Sequence, residues 1–402
     1  MKSTGSVRKI RKLIKQPGIF FRDYLNKKYP VVNSEISVSE NDEHTLIRYG
    51  ILLHDQDAQT LVSDNPIDVV FTWVNNQDPV WQKKFQTATQ TGRLKEQGRH
   101  ADDAARFANH NELYYSVHSI RKYLPWVRNI YIVTDAQTPD WFHGQYSNIR
   151  IIDHTQIIDA AYLPTFNSHV IEAHLHRIPG LGENFIYFND DVFVARPLQP
   201  QHFFRNNNIA SIFISGKSLR QMQQKGTGTP TLAASFNCIR LLKTRYNINI
   251  DAPLVHTYVP LKKSIFEKAW QLYQDEIQAF LPNKLRTNRD LNLATFLIPW
   301  LMYLEGKSVP THEICYYFNI RSPHALTQYR KLIEKKATDR QPHSFCANDF
   351  NSLNQIPDYQ EKLMAMLESY YRIYKDKQHT PLRKTKNEPQ TAKIKKRPKT
   401  FL

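Results

Sequence analysis

A chain of 402 residues and 47.2 kDa with 41% hydrophobic and 12% aromatic residues suffices for one large α/β domain or two domains, and wholesale disorder is excluded. No run of about 18 apolar residues occurs, which excludes a membrane span, and three well-separated cysteines (Cys238, Cys315, Cys346) argue against a disulfide framework and fit a reducing cytosol. The net charge of +17 sits at the ends, with nine Lys/Arg against one acid in residues 1–30 and ten against two in residues 375–402.

Residues 1–30 lack an apolar signal-peptide core, so the chain is expected to stay in the compartment that made it. Val7, Ile10, Leu13 and Ile14, then Ile19, Phe20, Phe21, Tyr24 and Leu25, read as two short amphipathic helices broken by Pro17. Basic on one side and apolar on the other, they suit an anionic membrane surface. A solubilising or protein-docking role is the alternative. Nucleic acid is disfavoured, because its enzymes carry positive charge on the folded body. Residues 31–65 read as a linker and 376–402 as a basic disordered tail.

Residues 66–215 alternate strands and helices. Ile67–Val74, Asn129–Asp135, Asn148–His154, FIYFND and Ile209–Gly216 are strand-like, rich in β-branched and aromatic residues. NELYYSVHSIRKYL puts Leu113, Val117, Ile120 and Leu124 on one helical face. NSHVIEAHLHRIPG reads as a helix capped by Asn167 or Ser168 and stopped by Gly180. The alternation predicts a doubly wound, mostly parallel sheet. Residues 216–231 read as a mobile loop. Residues 232–375 read as mainly helical, with one long helix in LKKSIFEKAWQLYQDEIQAFL and another kinked at Pro299.

In such a sheet, ligands sit at the carboxyl ends of the strands. Asn75, Asn76 and Asp78, then Asp135, Asp153 and Asn189-Asp190-Asp191, fall at these ends. Adjacent carboxylates with a neighbouring amide are hard ligands for Mg²⁺ or Mn²⁺, although Asp-Asp pairs also occur in solvated loops. Arg106, Asn109, Asn111 and Glu112 crowd the loop before a helix, where an anion would be favoured; an ordinary helix cap with a surface Arg is the alternative. His169, Glu172 and His176 share a helical face but do not form a HExxH pattern.

IDVVFTWVN, NHNELYYSVHSIRKYLPWVRNIYIVTDAQTPDW and LPTFNSHVIEAHLHRIPGLGENFIYFNDDVF resemble the first two conserved regions of the Stealth family. HTYVPLKKSIFEKAWQLY with NKLRTNRDLNLATFLIPW, and SFCANDF, resemble its third and fourth regions, so the resemblance spans roughly residues 66–350. The family comprises hexose-1-phosphate transferases of bacterial capsule synthesis, related to the animal enzyme that places N-acetylglucosamine-1-phosphate on lysosomal glycoproteins. The resemblance implies a glycosyltransferase-A-like α/β fold with a mainly helical C-terminal half. It implies transfer of sugar-1-phosphate from a UDP-sugar to a hydroxyl of a glycan, with release of UMP.

On this reading Asp190, Asp191 and Asp349 would hold Mg²⁺ or Mn²⁺, and Arg286, Lys263 and Arg106 would neutralise phosphate oxygens. His256 would take the acceptor proton or form a phospho-histidine. Arg286 has the rival role of pairing with Asp290. Trp73 and Asn75 are expected near the base and ribose, although Trp73 could equally face the core. Asn111, Glu112, Asn167, Glu172, His174, Arg177, Asn189, Asp290 and Asn348 are carried as substrate-pocket positions. Implied partners are the UDP-sugar, an oligo- or polysaccharide acceptor on a lipid anchor, and capsule assembly and export proteins. The implied place is the inner face of the bacterial cytoplasmic membrane. An ordinary glycosyltransferase releasing UDP, or a non-catalytic assembly scaffold, are the alternatives.

Overall fold

The computed structural model describes residues 13–28, 45–47, 65–90, 110–225, 228–349 and 355–372. Arg106, most of the 31–65 linker and the 376–402 tail lie outside the described residues. The described strands are β1 (Ile67–Thr72), β2 (Ile130–Thr134), β3 (Ile149–Asp153), β4 (Asn184–Asn189), β5 (Val192–Val194), β6 (Ala210–Ile212), β7 (Val259–Lys262), β8 (Ser308–Pro310), β9 (Cys315–Asn319) and β10 (Ser344–Asn348).

The central sheet has the order β3-β2-β1-β4-β7. β1 to β4 are mutually parallel and β7 runs antiparallel against β4. The near-continuous apolar runs of β1, β2 and β4 follow from burial on both faces. Val69, Val70, Phe71, Ile132, Phe185 and Phe188 are all sealed from solvent. Strand order reverses between β1 and β4, so the carboxyl ends of these two strands flank the switch point.

Helix α1 (Pro17–Lys28) precedes the sheet and α2 (Pro79–Gln90) follows β1. Helix α3 (Glu112–Tyr123) buries Leu113, Val117 and Ile120 as its periodicity predicts. It docks on β5 through Ser116, whose Oγ donates to the Val192 carbonyl at 2.5 Å, and Ser119, whose Oγ accepts from the Val194 amide at 3.1 Å. A second sheet, β5-β10-β9, grows from the chain just past Asp191. β10 pairs antiparallel with β5, with Cys346 opposite Val192, and parallel with β9. Phe193 and Phe345 stack across it at 4.9 Å, a contact that adds about 0.5–1.5 kcal/mol to their burial.

Several expected elements differ. The helix from Ser168 stops at Glu172 (α4, Ser168–Glu172) and resumes as a 3₁₀ turn at Leu175–Arg177, because His174 leaves helical geometry (φ −107°, ψ 2°). The strand expected over Ile209–Gly216 shrinks to β6, which pairs with β8 outside the central sheet. The expected loop 216–231 contains a helix, Leu219–Gln224, capped by Ser218, whose Oγ accepts from the Gln221 amide at 3.1 Å. A longer helix, α5 (Pro230–Tyr246), starts before that segment ends.

The long helix expected from Leu261 begins instead as β7, an edge strand where Pro260 costs no ladder bond. It continues as α6 (Lys263–Leu272), breaks at Tyr273 (φ −132°) and resumes at Gln274–Phe280. Pro299 acts as expected. The turn before it is π-helical, with the Leu297 amide reaching the Asn292 carbonyl at 2.8 Å, and α7 (Ile298–Leu304) starts with Pro299 in its first turn. The last described helix, α8 (Tyr359–Tyr371), caps β5: Tyr371 donates to the Val194 carbonyl at 2.7 Å and Tyr370 to the Ala195 carbonyl at 2.9 Å.

Candidate active site

The acidic pair stands between β4 and β5, where the chain leaves the central sheet and enters the second one. Glu112 joins it from the first turn of α3, buried, with Oε2 accepting the His110 amide at 2.6 Å. Burial raises the Glu112 carboxyl to about 6 and the negative charge of Asp191 adds to this, while His110 opposes it. Burial, then Asp191 and Glu112, push Asp190 well above the usual carboxylate range. Two carboxyls held up by burial and by the negative charge beside them leave a site short of positive charge.

Asp191 is fixed from β10. Its Oδ2 accepts from Asn348 Nδ2 at 3.0 Å and from the Cys346 thiol at 3.3 Å, and its backbone carbonyl accepts from the Ala347 amide at 3.0 Å. Its Oδ1 is buried and has no hydrogen-bond partner. His256 approaches from the segment leading into β7: a ring nitrogen, Asp191 oxygen and Cys346 Sγ lie within 4.8 Å of one another. His256 is exposed and stands against Tyr317 at 5.2 Å. The surrounding protein lowers its pKa, with Asp191 opposing and Lys217 assisting, so the free imidazole is the favoured form at neutral pH.

Asp349, expected to bind metal, has both oxygens engaged: Arg321 holds it two-pronged, with Nη2 at 2.9 Å from Oδ2, and His110 Nε2 lies 3.3 Å from Oδ2. Burial would raise this carboxyl, but His110 and Arg321 outweigh burial and hold it low. His110 and Arg321 carry no signal in local sequence, since their shared partner is far from His110 along the chain. His110 does stand beside Asn111 in a quoted block. Asn111 takes the left-handed backbone at the entrance to α3 (φ 69°).

Beneath the shelf, Tyr187 Oη links the ends of β1 and β4. It lies 2.9 Å from Thr72 Oγ1, 3.0 Å from Asn189 Oδ1 and 3.4 Å from Glu172 Oε1. Helix α4 connects this network to a second polar centre. At its start, Asn167 caps the helix and donates to Asp290 at 2.8 Å, and Ser168 Oγ accepts from Arg286 Nε at 2.9 Å. Arg286 also reaches Thr231 at 3.1 Å. Asp290 takes its remaining bonds from His169, Asn283 and Thr287, so in place of the rival one-turn pairing with Arg286 there is a buried hub that organises the Asn283–Asp290 loop.

Other expected residues stand apart. Lys263 follows β7 and its amide bonds the Glu183 carbonyl, at the start of β4. A six-residue strand places it roughly 17–20 Å of chain from Asp190. It is therefore removed from the shelf, where the resemblance had led us to expect it. His174 donates Nδ1–H to the Val170 carbonyl at 2.7 Å and stands against Trp270 at 5.4 Å, over which Arg177 also stacks at 4.7 Å. These two residues pack α6 against the 3₁₀ turn at Leu175–Arg177. His169 bonds Asp290 and His176 stacks on Phe266, so the shared helical face does not exist. Trp73 is buried in the core. The Asn75 backbone is gripped by Gln137, which accepts from its amide and donates to its carbonyl, both at 2.9 Å. Of the other strand-end acids, Asp135 pairs with Lys84 at 2.9 Å and Asp153 caps the turn at His154.

Residues 65–89 match the family model described as Stealth protein CR1, conserved region 1, and residues 106–212 match Stealth protein CR2, conserved region 2. Among solved structures, the galactosyltransferase LgtC in complex with donor and acceptor sugar analogs aligns over 75% of this chain and 95% of its own, at 11% identity and a TM-score of 0.36, too distant to argue from. The capsular polysaccharide phosphotransferase LcbA of Neisseria meningitidis is 60% identical over 91% of this chain and 100% of its own. The capsular polysaccharide phosphotransferase of Actinobacillus suis is 59% identical over 90% of this chain and 98% of its own. With an acidic shelf and an adjacent imidazole at the switch point of its sheet, the chain belongs to the Stealth family of capsular polysaccharide phosphotransferases.

Proposed function

We propose that this enzyme transfers a hexose- or N-acetylhexosamine-1-phosphate from a UDP-sugar to a hydroxyl of a growing glycan. The product is a phosphodiester of the capsular polysaccharide and the leaving group is UMP. The observation that carries this reading is the convergence of Asp190, Asp191 and Glu112 with His256 at the carboxyl end of β4. The acceptor oxygen forms a bond to the β-phosphorus, the bond from that phosphorus to the bridging oxygen breaks, and UMP carries the bridging oxygen away. His256, its lone pair free at neutral pH, takes the acceptor proton. Phosphorylation of the same nitrogen is the rival route.

The residues present fit a divalent cation such as Mg²⁺ or Mn²⁺. Asp191 Oδ1 is buried without a partner, and Asp190 and Glu112 beside it are pushed up by burial and then by the charge of Asp191. Asp190, Asp191 and Glu112 would hold the ion, which would neutralise diphosphate oxygens. Asp349 joins them only by giving up Arg321. Arg286, Asn167 and Glu172 support the shelf through α4, and Asn189 and Asn348 orient the ends of β4 and β10.

Attachment to the inner face of the cytoplasmic membrane, beside a lipid-anchored acceptor and the capsule assembly and export proteins, is supported by α1. Its Ile19, Phe21, Tyr24 and Leu25 stand exposed in the basic N-terminal segment. The test of the reaction is incubation with Mg²⁺, an oligosaccharide primer and a panel of UDP-sugars. A phosphodiester resonance by phosphorus NMR is the expected result, and a phosphate-free glycoside overturns the reading.

A further inference from the structure

Two groups of metal-ligating side chains lie together among the described residues: His202, Glu313 and His343, and Asp191, His256 and Cys346. The first is closed. Glu313 Oε1 accepts from Ser344 at 2.7 Å, its Oε2 lies 2.8 Å from His202 Nε2 and 3.2 Å from His343 Nδ1, and all three side chains are sealed from solvent. Its hydrogen bonds account for it. The second is open. His256 is exposed, Asp191 Oδ1 is buried without a partner, and Cys346 Sγ stands 3.3 Å from Asp191 Oδ2.

We propose that Asp191, His256 and Cys346 form a binding site for a thiophilic divalent cation, Zn²⁺ or its analogue Co²⁺, and that its occupation shuts the enzyme. A borderline imidazole nitrogen and a soft sulfur beside one hard carboxylate oxygen form a mixed set that favours Zn²⁺ over Mg²⁺. Ligand atoms of a tetrahedral zinc site stand roughly 3.3–3.7 Å apart, given bonds of about 2.0–2.3 Å. The Asp191–Cys346 edge is already at 3.3 Å, and no donor pair exceeds 4.8 Å, so small side-chain rotations close the set. On binding, the S–H···O hydrogen bond is replaced by a sulfur–metal bond, and the thiol proton leaves to solvent. The imidazole lone pair goes to the metal and is lost to the acceptor proton. Asp191 is shared with the hard-cation shelf, so the two ions compete. The inhibitory half rests on the proposed reaction; the binding half does not.

The test titrates the metal-stripped, full-length protein with Co²⁺. The parent and Cys238→Ser proteins are expected to bind one equivalent with a sulfur-to-cobalt charge-transfer band. Cys346→Ser should lose that band and bind more than about tenfold weaker. His256→Gln, an exposed change, should keep the band and bind weaker. Excess Mg²⁺ should raise the apparent Kd for Co²⁺ in the parent. Zn²⁺ should then inhibit turnover, measured against each protein's own rate in Mg²⁺, and the midpoint should rise in folded Cys346→Ser. No cobalt band in the parent, a band that persists in Cys346→Ser, or unaltered affinity in His256→Gln overturns the site. A cobalt band that behaves as expected in an enzyme without phosphodiester product overturns the reaction and leaves the site standing.

Discussion

Asp191 gains its orientation from residues on another sheet. Asn348 and Cys346 fix one oxygen, leaving the other buried and unsatisfied, a condition that costs about 1–3 kcal/mol unless a ligand relieves it. Removing the charge should therefore help the empty protein and harm the loaded one. Asp191→Asn is expected to abolish the rise in Tm that Mg²⁺ gives the parent, read by differential scanning fluorimetry with and without the ion. His256→Ala is expected to lower kcat by roughly 10²–10⁴-fold with an unchanged far-UV circular dichroism spectrum, the range for loss of a positioned base. An unchanged kcat assigns the proton to another group. At this scale the sequence was informative where chemistry is local. The adjacent aspartates stand out as a strand-end pair and His256 was reached only through the resemblance; Arg321 and His110 were not legible, because each meets Asp349 only through the fold.

Single residues set where elements start and stop. Reading Leu261 and Lys262 as the start of a helix hid the antiparallel pairing with β4 that holds Lys263 at the start of that strand, since a four-residue strand running straight into a helix has no period of its own. The break at Ala173–His174 was equally hidden: the run has helical spacing, and packing against Trp270 overrides it. The Glu313 triad ties the segment before β9 to the start of β10 and to the helix at Pro200–Phe203. Burial would raise the Glu313 carboxyl, but His343 and His202 outweigh it and hold it at about 2, against an ordinary 4.5. A depressed pKa stabilises the fold above the unfolded value, so this contribution is complete above pH 4.5 and is lost as pH falls from there towards 2. Glu313→Gln is expected to cost about 1–3 kcal/mol at pH 7 in urea unfolding, the loss of buried hydrogen bonds to a His202 that burial keeps largely neutral, with the gap to the parent narrowing in acid. A gap independent of pH would remove the charge from the explanation. For α1, deletion of residues 1–30 is expected to release the protein from anionic vesicles while turnover on a soluble primer survives. Sedimentation of the shortened chain with vesicles at physiological salt would end the membrane role of this segment.

Over the whole molecule, alternation of strand and helix was enough to reveal the parallel sheet, because β1, β2 and β4 are compact apolar runs and helices stand between β1 and β2 and between β3 and β4. The β5-β10-β9 sheet was not legible: it joins segments from both halves of the chain, and pairing at that distance leaves no periodic trace. Yet this sheet completes the site, since it brings Cys346, Asn348 and Asp349 to the acids that end β4. The proposed reaction breaks a bond at phosphorus and not at the sugar carbon, and a UDP-sugar carrying heavy-isotope oxygen between the anomeric carbon and the β-phosphorus distinguishes the two. Attack at phosphorus leaves the label in the polymer and releases unlabelled UMP. Label recovered in released UDP would instead put the cleavage at the sugar carbon and end the proposal.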